Sequence, residues 1–132
     1  MSTPPHVPAE IHGQRYVSLT TFRKTGVAVS TPLWFAEESG NLYFMTRSDS
    51  GKYKRIRNNA GVRVAPCTMR GRITGPEFAG SVQVLPAADW ARAHRALERK
   101  YWLMKLPIWS KQNIYLEVTL QDATGVTTYP VK

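Results

Sequence analysis

Cysteine is nearly absent from this chain, because Cys67 is the only one among 132 residues. An intrachain disulfide is therefore impossible, and the fold must be held together by its own core. Long apolar runs are also missing, since none reaches the roughly 20 residues that a membrane-spanning helix needs. The first residues, Met-Ser-Thr-Pro-Pro-His-Val-Pro, lack the basic and apolar regions of a secretory signal. We therefore expect a cytoplasmic protein that is not inserted in a membrane.

Acidic residues are scarce as well. Asp and Glu total 9 against 18 Lys and Arg, which gives a formal net charge of +9 and a sequence pI near 10.1. Such an excess predicts an anionic partner: nucleic acid, an acidic membrane face, or a phosphorylated or carboxylated small molecule. Much of the charge is local, because residues 47–57 contain a single acid, Asp49, and five cations. These cations are Arg47, Lys52, Lys54, Arg55 and Arg57.

Several catalytic signatures are missing too. No Gly-x-Ser-x-Gly pattern surrounds Ser30 or Ser50, which argues against a serine hydrolase. No Ser or Thr follows Gly51-Lys52, as a nucleotide-binding P-loop would require. The three histidines do not stand in a cluster of ligand-type residues, so no metal site is predicted. Cys67 has no partner cysteine, and we interpret it as a small buried strand residue without a redox role.

The pattern divides the chain into a flexible N-terminal arm at residues 1–13, rich in Pro and His, and a single domain at residues 14–132. Short alternating runs separated by turn residues predict strands in hairpin order. One run, Val27 to Ala36, alternates throughout and predicts a single strand with one buried face. Pro32 lacks a backbone donor and places this strand at a sheet edge or at a bulge.

Two helices complete the predicted elements. Gly51 to Asn58 should form a short basic helix, and Pro86 should open a longer one. The longer helix carries a stripe at helical spacing that should face the core, formed by Trp90, Ala93, Leu97 and Tyr101. With six or seven strands, the last of them around residues 126–129, the sequence predicts a mainly β protein with minor α, folded as a small antiparallel barrel.

The stretch from Thr46 to Arg57 carries the most specific functional signal. It places small and hydroxyl residues at a turn and then begins a helix dense in cations, an arrangement that suits a phosphate. At helical spacing Lys52 shares a face with Arg55, and we favour that face for a ligand. A solvated basic helix that binds nothing is the alternative.

Four stretches together resemble the FMN-binding split β-barrel family typified by pyridoxamine 5′-phosphate oxidase. They are Thr20–Gly26, Ser30–Phe35, Leu42–Phe44 and Ser50–Cys67. Within that family they look like the small branch that uses the deazaflavin coenzyme F-420 in place of FMN. The resemblance runs from about Arg15 to Tyr129 and implies a split β-barrel that forms a homodimer, with the cofactor at the interface between subunits.

The resemblance also implies roles for particular residues. A first group would hold the cofactor phosphate at the turn, led by Ser50 and Lys52 and joined by Thr46, Arg47, Gly51 and Arg55. A second group would border the cofactor ring and comprises Thr31, Pro32, Pro66 and Cys67. Trp34 suits the core and ring stacking equally, and Trp102 or Trp109 would be the aromatic residue contributed by the second subunit.

The tail after Lys111 lacks the Arg and His residues with which the oxidase recognises its substrate, so pyridoxamine phosphate is not the expected substrate. We predict an F-420-dependent oxidoreductase that transfers a hydride between reduced F-420 and an unsaturated small organic molecule. The phosphodiester and poly-γ-glutamate tail of F-420 suit the local positive charge. An FMN-binding flavoenzyme of the same fold is the nearest alternative. A non-enzymatic module that binds a cofactor or nucleic acid is another, and charge clustered at one turn makes nucleic acid the weaker of these.

Overall fold

The structure is a computed structural model that describes residues 6–101 and 113–121. Within these residues the chain forms two α-helices and seven strands, all paired antiparallel. The strands are β1 (Tyr16–Phe22), β2 (Ala28–Leu33), β3 (Ala36–Glu38), β4 (Asn41–Arg47), β5 (Gly61–Cys67), β6 (Phe78–Val84) and β7 (Asn113–Leu120). The helices are α1 (Gly51–Asn58) and α2 (Trp90–Lys100), and a single 3₁₀ turn at Ala87–Asp89 leads into α2. The predicted mainly β protein with one short and one long helix is confirmed. The strand expected around residues 126–129 lies outside the described residues.

The order of the strands forces the sheet to curl. It is β2-β1-β5-β6-β7-β4-β3, so β2 and β3 are the two edges although they are neighbours in the sequence. In a flat sheet of this size the edges would lie about 29 Å apart, from six spacings of roughly 4.8 Å. The two residues that join β2 to β3 allow a span of no more than about 11 Å. The sheet therefore bends until its edges approach each other, which gives the predicted split-barrel shape.

The strand predicted from Val27 to Ala36 is wrong in extent. The chain breaks it at Trp34 and Phe35, between β2 and β3. No side chain of β2 is fully buried and Val27 is 52% exposed, whereas Phe35 is completely buried. The alternating pattern continues across the break because Phe35 enters the core while the chain passes from one sheet edge to the other. Pro32 lies on the edge strand β2, as predicted.

The inside of the curled sheet is filled by one apolar cluster, and this cluster includes part of the predicted arm. Ile11 is fully buried among residues such as Leu19 and Phe44. The carboxylate of Glu37 also accepts hydrogen bonds from His12 Nδ1 at 2.7 Å and from the backbone of Gly13 at 2.9 Å. Residues 6–13 therefore pack on the barrel, which differs from the flexible arm expected there. A buried Ile side chain contributes about 1.5–3 kcal/mol, enough to hold a short segment in place.

A second apolar cluster lies between α2 and the outer side of the sheet. Ala93, Leu97 and Tyr101 are buried in it and Trp90 is partly buried, so the predicted helical stripe does face the core. The Tyr101 hydroxyl donates a hydrogen bond to the backbone oxygen of Arg15 at 2.6 Å, which ties the end of α2 to the start of β1. None of the helices in the described residues is long and apolar enough to cross a membrane.

Candidate functional site

The turn between β4 and α1 is fixed by hydroxyl groups. Ser50 is the N-cap of α1, and its Oγ accepts a hydrogen bond from the backbone N–H of Tyr53 at 3.2 Å. Ser50 Oγ also lies 3.3 Å from Oγ1 of Thr46, at the end of β4. The N–H groups of Gly51 and Lys52 have no hydrogen-bond partner in the part of the chain that the structure describes. Such N–H groups at a helix start attract anions.

Lys52 and Arg55 lie together beside this helix start. The Arg55 guanidinium folds back over the first turn, where a Cβ added to Gly51 would lie only 2.9 Å from Nη1. Its Nε donates to Oγ1 of Thr21 at 2.6 Å, which fixes its position. Lys52 is half-buried, and burial together with the charge of Arg55 lowers the pKa of Lys52. Within residues 6–101 and 113–121 neither cation has a carboxylate partner, so two positive charges lie together without an opposite charge from these residues.

The other cations of this stretch are directed elsewhere. Arg47 donates two hydrogen bonds to Asp49, from Nε and Nη2, each at 2.9 Å. These bonds lower the pKa of the Asp49 carboxyl. Arg57 lies over the ring of Tyr53, with its guanidinium carbon 5.6 Å from the ring centroid, and Lys54 is exposed. Of the five cations in this stretch, only Lys52 and Arg55 therefore lie together at the start of α1.

The residues predicted to border a cofactor ring lie on the two neighbours of β1. They are Thr31 and Pro32 on β2, and Pro66 and Cys67 on β5. The register sets Pro32 opposite Ser18 and Cys67 opposite Tyr16, so Pro32 and Cys67 share the outer face of the sheet. The other two fall on the opposite face, because successive strand residues alternate. Burial raises the pKa of the Cys67 thiol, which agrees with its prediction as a buried strand residue.

A cleft of about 330 Å³ opens next to Pro32. Its apolar walls are formed by Pro32, Leu33, Met45, Met69 and Leu97. Tyr16 and Trp34 complete the lining and bring a hydroxyl and an indole N–H. Trp34 stacks on Tyr101, with ring centroids 4.6 Å apart and an angle of 5° between the planes. Trp34 thus packs against the core under α2 and also lines a cleft of a size suited to a small molecule, while its stacking on a cofactor ring stays a prediction.

Sequence reasoning missed two of these residues, Thr21 and Tyr16. Thr21 stands at a core-facing position of β1, in alternation with Val17 and Leu19, and a hydroxyl in such a place is a signal that could have been noticed. Tyr16 gave no signal, because its place beside Trp34 depends on the register of the β1–β2 hairpin, which pairs Val17 with Leu33. Thr21 and Tyr16 are five residues apart on β1, about 17 Å in extended chain, so the anion site and the cleft lie near opposite ends of one strand.

Two other predictions concern residues around these sites. Trp102 and Trp109, considered for the second subunit's contribution, lie outside the described residues. No group of His, Cys, Asp and Glu in the described parts of the chain could hold a metal ion. His94 is engaged instead with the Tyr115 hydroxyl, 2.6 Å from its Nδ1.

Comparison with known proteins gives one family and a shared fold. The sequence model of the family described as pyridoxamine 5′-phosphate oxidase matches residues 3–126. No curated protein sequence matches the chain.

Solved structures of similar shape differ in what they bind. An F-420 reductase is 20% identical and has a TM-score of 0.63, over 91% of this chain and 97% of its own. An FAD-binding protein from Mesorhizobium loti is 15% identical with a TM-score of 0.65, over 86% and 84% of the two chains. The heme storage protein HutZ from Vibrio cholerae is 7% identical with a TM-score of 0.68, over 83% and 84%. Identities this low show a common fold alone.

Proposed function

Because the chain belongs to the pyridoxamine 5′-phosphate oxidase family, we propose that it is an oxidoreductase that uses coenzyme F-420. The proposed reaction is transfer of a hydride between reduced F-420 and an unsaturated small organic substrate. The observation that carries the proposal is the pair formed by Lys52 and Arg55, two cations at the start of α1 without a carboxylate partner among the described residues.

The residues at this turn fit a phosphodiester followed by carboxylates. A bound phosphate oxygen would receive the N–H groups of Gly51 and Lys52 and the charges of Lys52 and Arg55, beside the hydroxyls of Ser50 and Thr46. Its negative charge would also stabilise the charged form of Lys52, which burial disfavours. The exposed side of the same helix remains positively charged, which suits the glutamate tail of F-420, whereas FMN ends at its phosphate.

The partly exposed Pro32 is where a planar ring would approach the outer face of the sheet. It forms one row across three strands with Ser18 and Ala65, which are small and buried. When bound, F-420 supplies the hydride chemistry, and the protein's part is to bind, orient and exclude water. Pro32 and Cys67 would border the ring at this face.

The same region suits contact with a second copy of the chain. The large apolar side chains exposed in the described residues are Val27 (52%), Met69 (65%) and Ile73 (51%), and they lie next to β2 and the end of β5. Val27 lies at the Phe22 end of β1 and Ile73 at the Tyr16 end, so these side chains border the β2–β1–β5 side of the sheet, and exposed apolar groups of this kind favour an interaction surface. A homodimer formed there would bury them and exclude water from a ring held between the subunits.

The binding part of the proposal is tested by titrating the purified full chain with F-420 and with FMN, followed by ligand fluorescence. We expect saturable F-420 binding that weakens with added salt, since ionic contacts to the tail are screened. Saturable binding of FMN with no response to F-420 would overturn the assignment in favour of an FMN flavoenzyme, which would often purify yellow. A steep salt dependence of DNA binding that F-420 does not change would instead favour a nucleic-acid-binding module.

A further inference from the structure

The two polar groups in the cleft beside Pro32 are hydrogen-bond donors for which residues 6–101 and 113–121 supply no partner. Neither the Tyr16 hydroxyl nor the Trp34 indole N–H has a hydrogen bond within the described residues. The indole N–H of Trp90, by contrast, donates to the backbone oxygen of Leu85 at 2.9 Å. Donors that line a small-molecule cleft and remain unused select a ligand that accepts hydrogen bonds.

The rest of the lining excludes charge. Its other members are the side chains of Pro, Leu and Met, and no Lys, Arg, Asp or Glu of the described chain is among them. An ionic group placed there would lose its hydration without an opposite charge to replace it, which is costly. The cleft is thus opposite in character to the anion site at Lys52 and Arg55.

Trp34 is held in a fixed orientation. Tyr101 stacks on it in parallel, and the Tyr101 hydroxyl donates to the backbone oxygen of Arg15 and lies 3.0 Å from that of Phe35. Tyr101 does not line the cleft, so it supports the indole from the protein side. Met45 and Met69 complete the walls with flexible thioethers that adapt to ligands of different outline.

We propose that this cleft binds a planar, uncharged molecule with a hydrogen-bond acceptor such as a carbonyl oxygen, recognised by Tyr16 and Trp34. The inference rests on the proposed function only in regarding this molecule as the substrate. The F-420 ring proposed at Pro32 and Cys67 would border this cleft, while its phosphate would lie near the other end of β1, so we expect the two ligands to bind side by side.

Three naphthalenes of equal ring size test the ligand class, in isothermal titration of the full chain without cofactor. They are 2-acetylnaphthalene, the carboxylate 2-naphthoate, and 2-ethylnaphthalene, which has no acceptor. We expect 2-acetylnaphthalene to bind at least tenfold more tightly than 2-naphthoate, because of the charge. It should also bind roughly fivefold more tightly than 2-ethylnaphthalene, because of the hydrogen bond. In Lys52→Met, which lacks one of the two cations of the anion site where the carboxylate could also bind, equal or tighter binding of 2-naphthoate, or no binding of any of the three, would overturn the proposal.

Two variants test the residues. Tyr16→Phe and Trp34→Phe each remove one donor and keep an aromatic ring, and each should weaken 2-acetylnaphthalene roughly three- to tenfold while leaving 2-ethylnaphthalene unchanged. Tyr53→Phe, which removes a hydroxyl on α1, is the matched control and should change neither affinity. Tyr16→Phe removes a hydroxyl that has no partner in the described structure, so this variant should fold. If Trp34→Phe does not fold, Tyr16→Phe alone decides the test. Unchanged affinity of Tyr16→Phe for 2-acetylnaphthalene would refute the assigned recognition.

A competition separates this inference from the proposed function. If 2-acetylnaphthalene binds but F-420 does not, the proposed function fails and the cleft assignment stands. If F-420 binds and displaces 2-acetylnaphthalene competitively, the cleft is part of the cofactor site and the inference is wrong. Simultaneous binding of both supports the two sites.

Discussion

Replacing Lys52 with methionine should weaken ligand binding without lowering the stability of the protein. Methionine keeps most of the apolar length of the side chain and removes its charge. In the free protein that charge is half-buried beside Arg55, and its lowered pKa means that the folded chain disfavours it. With a phosphate bound, the same charge would become a strong hydrogen-bond donor.

The magnitudes follow from these two environments. A hydrogen bond from a charged group contributes about 1.5–3 kcal/mol, so Lys52→Met should weaken F-420 binding roughly ten- to 150-fold. Loss of the repulsion from Arg55 should leave the free energy of unfolding the same or raise it slightly. Because Lys52 is only half-buried, solvent screening keeps this gain below about 0.5 kcal/mol.

Fluorescence titration with F-420 gives the affinity, and urea unfolding gives the stability. Lys54→Met is the matched control, because it removes the same charge from the exposed side of the same helix. It should weaken binding much less, by about 0–1 kcal/mol. An unchanged affinity of Lys52→Met together with a loss of stability would show that Lys52 is structural and would refute the anion site.

Three further changes probe other parts of the structure. Gly51→Ala should weaken F-420 binding severalfold, because the new Cβ displaces the Arg55 guanidinium, and should not lower the urea midpoint, because alanine favours the helix. Titration with F-420 measures the affinity and urea unfolding the stability, and an unchanged affinity would contradict the prediction. Burial lowers the pKa of Lys100 from 10.5 to about 8, so between these values the unfolded chain binds more protons and stability should rise with pH. Lys100→Met should remove this rise in urea midpoints measured from pH 7.5 to 10.5, and an identical slope in both proteins would contradict the shift. Gly80→Ala should destabilise by roughly 1–3 kcal/mol in the same assay, because its Cβ would lie 2.8 Å from the backbone oxygen of Thr119, and an unaltered midpoint would count against this close contact.

Local chemistry explains which predictions the structure confirms. The bounds of α1 could be predicted to the residue, because Ser50 caps the helix and Asn58-Asn59 end it through interactions within the segment itself. The edge position of Pro32 agrees with its missing N–H, although Pro66, which lacks it too, lies in β5 between β1 and β6. The pairing of Lys52 with Arg55 on one face needed only the helical repeat.

The cleft and the break after β2 could not be predicted in this way. Tyr16 lies beside Trp34 because the β1–β2 hairpin pairs Val17 with Leu33, a register that the sequence pattern did not predict. Met45 and Leu97 reach the same cleft only through closure of the sheet and packing of α2. The alternation across Trp34 and Phe35 fits one strand or two equally well, and closure of the sheet decides between them. Ile11 shows the same limit, since the scattered apolar residues of its segment, such as Val7 and Ile11, give no regular pattern, and their packing depends on the distant core.

The two-residue connection between β2 and β3 has a consequence for how the chain tolerates insertions. In most surface loops a few added residues cost little, because the entropy of closing a loop grows slowly with its length. Here the length of the connection itself sets the curvature of the sheet, as the hairpins β1–β2 and β3–β4 are held within about 11 Å of each other by it. Extra residues at Trp34 and Phe35 would let the edges spread and would move the indole away from Tyr16. A change in the length of this connection would therefore alter the shape of the barrel and the composition of the cleft together.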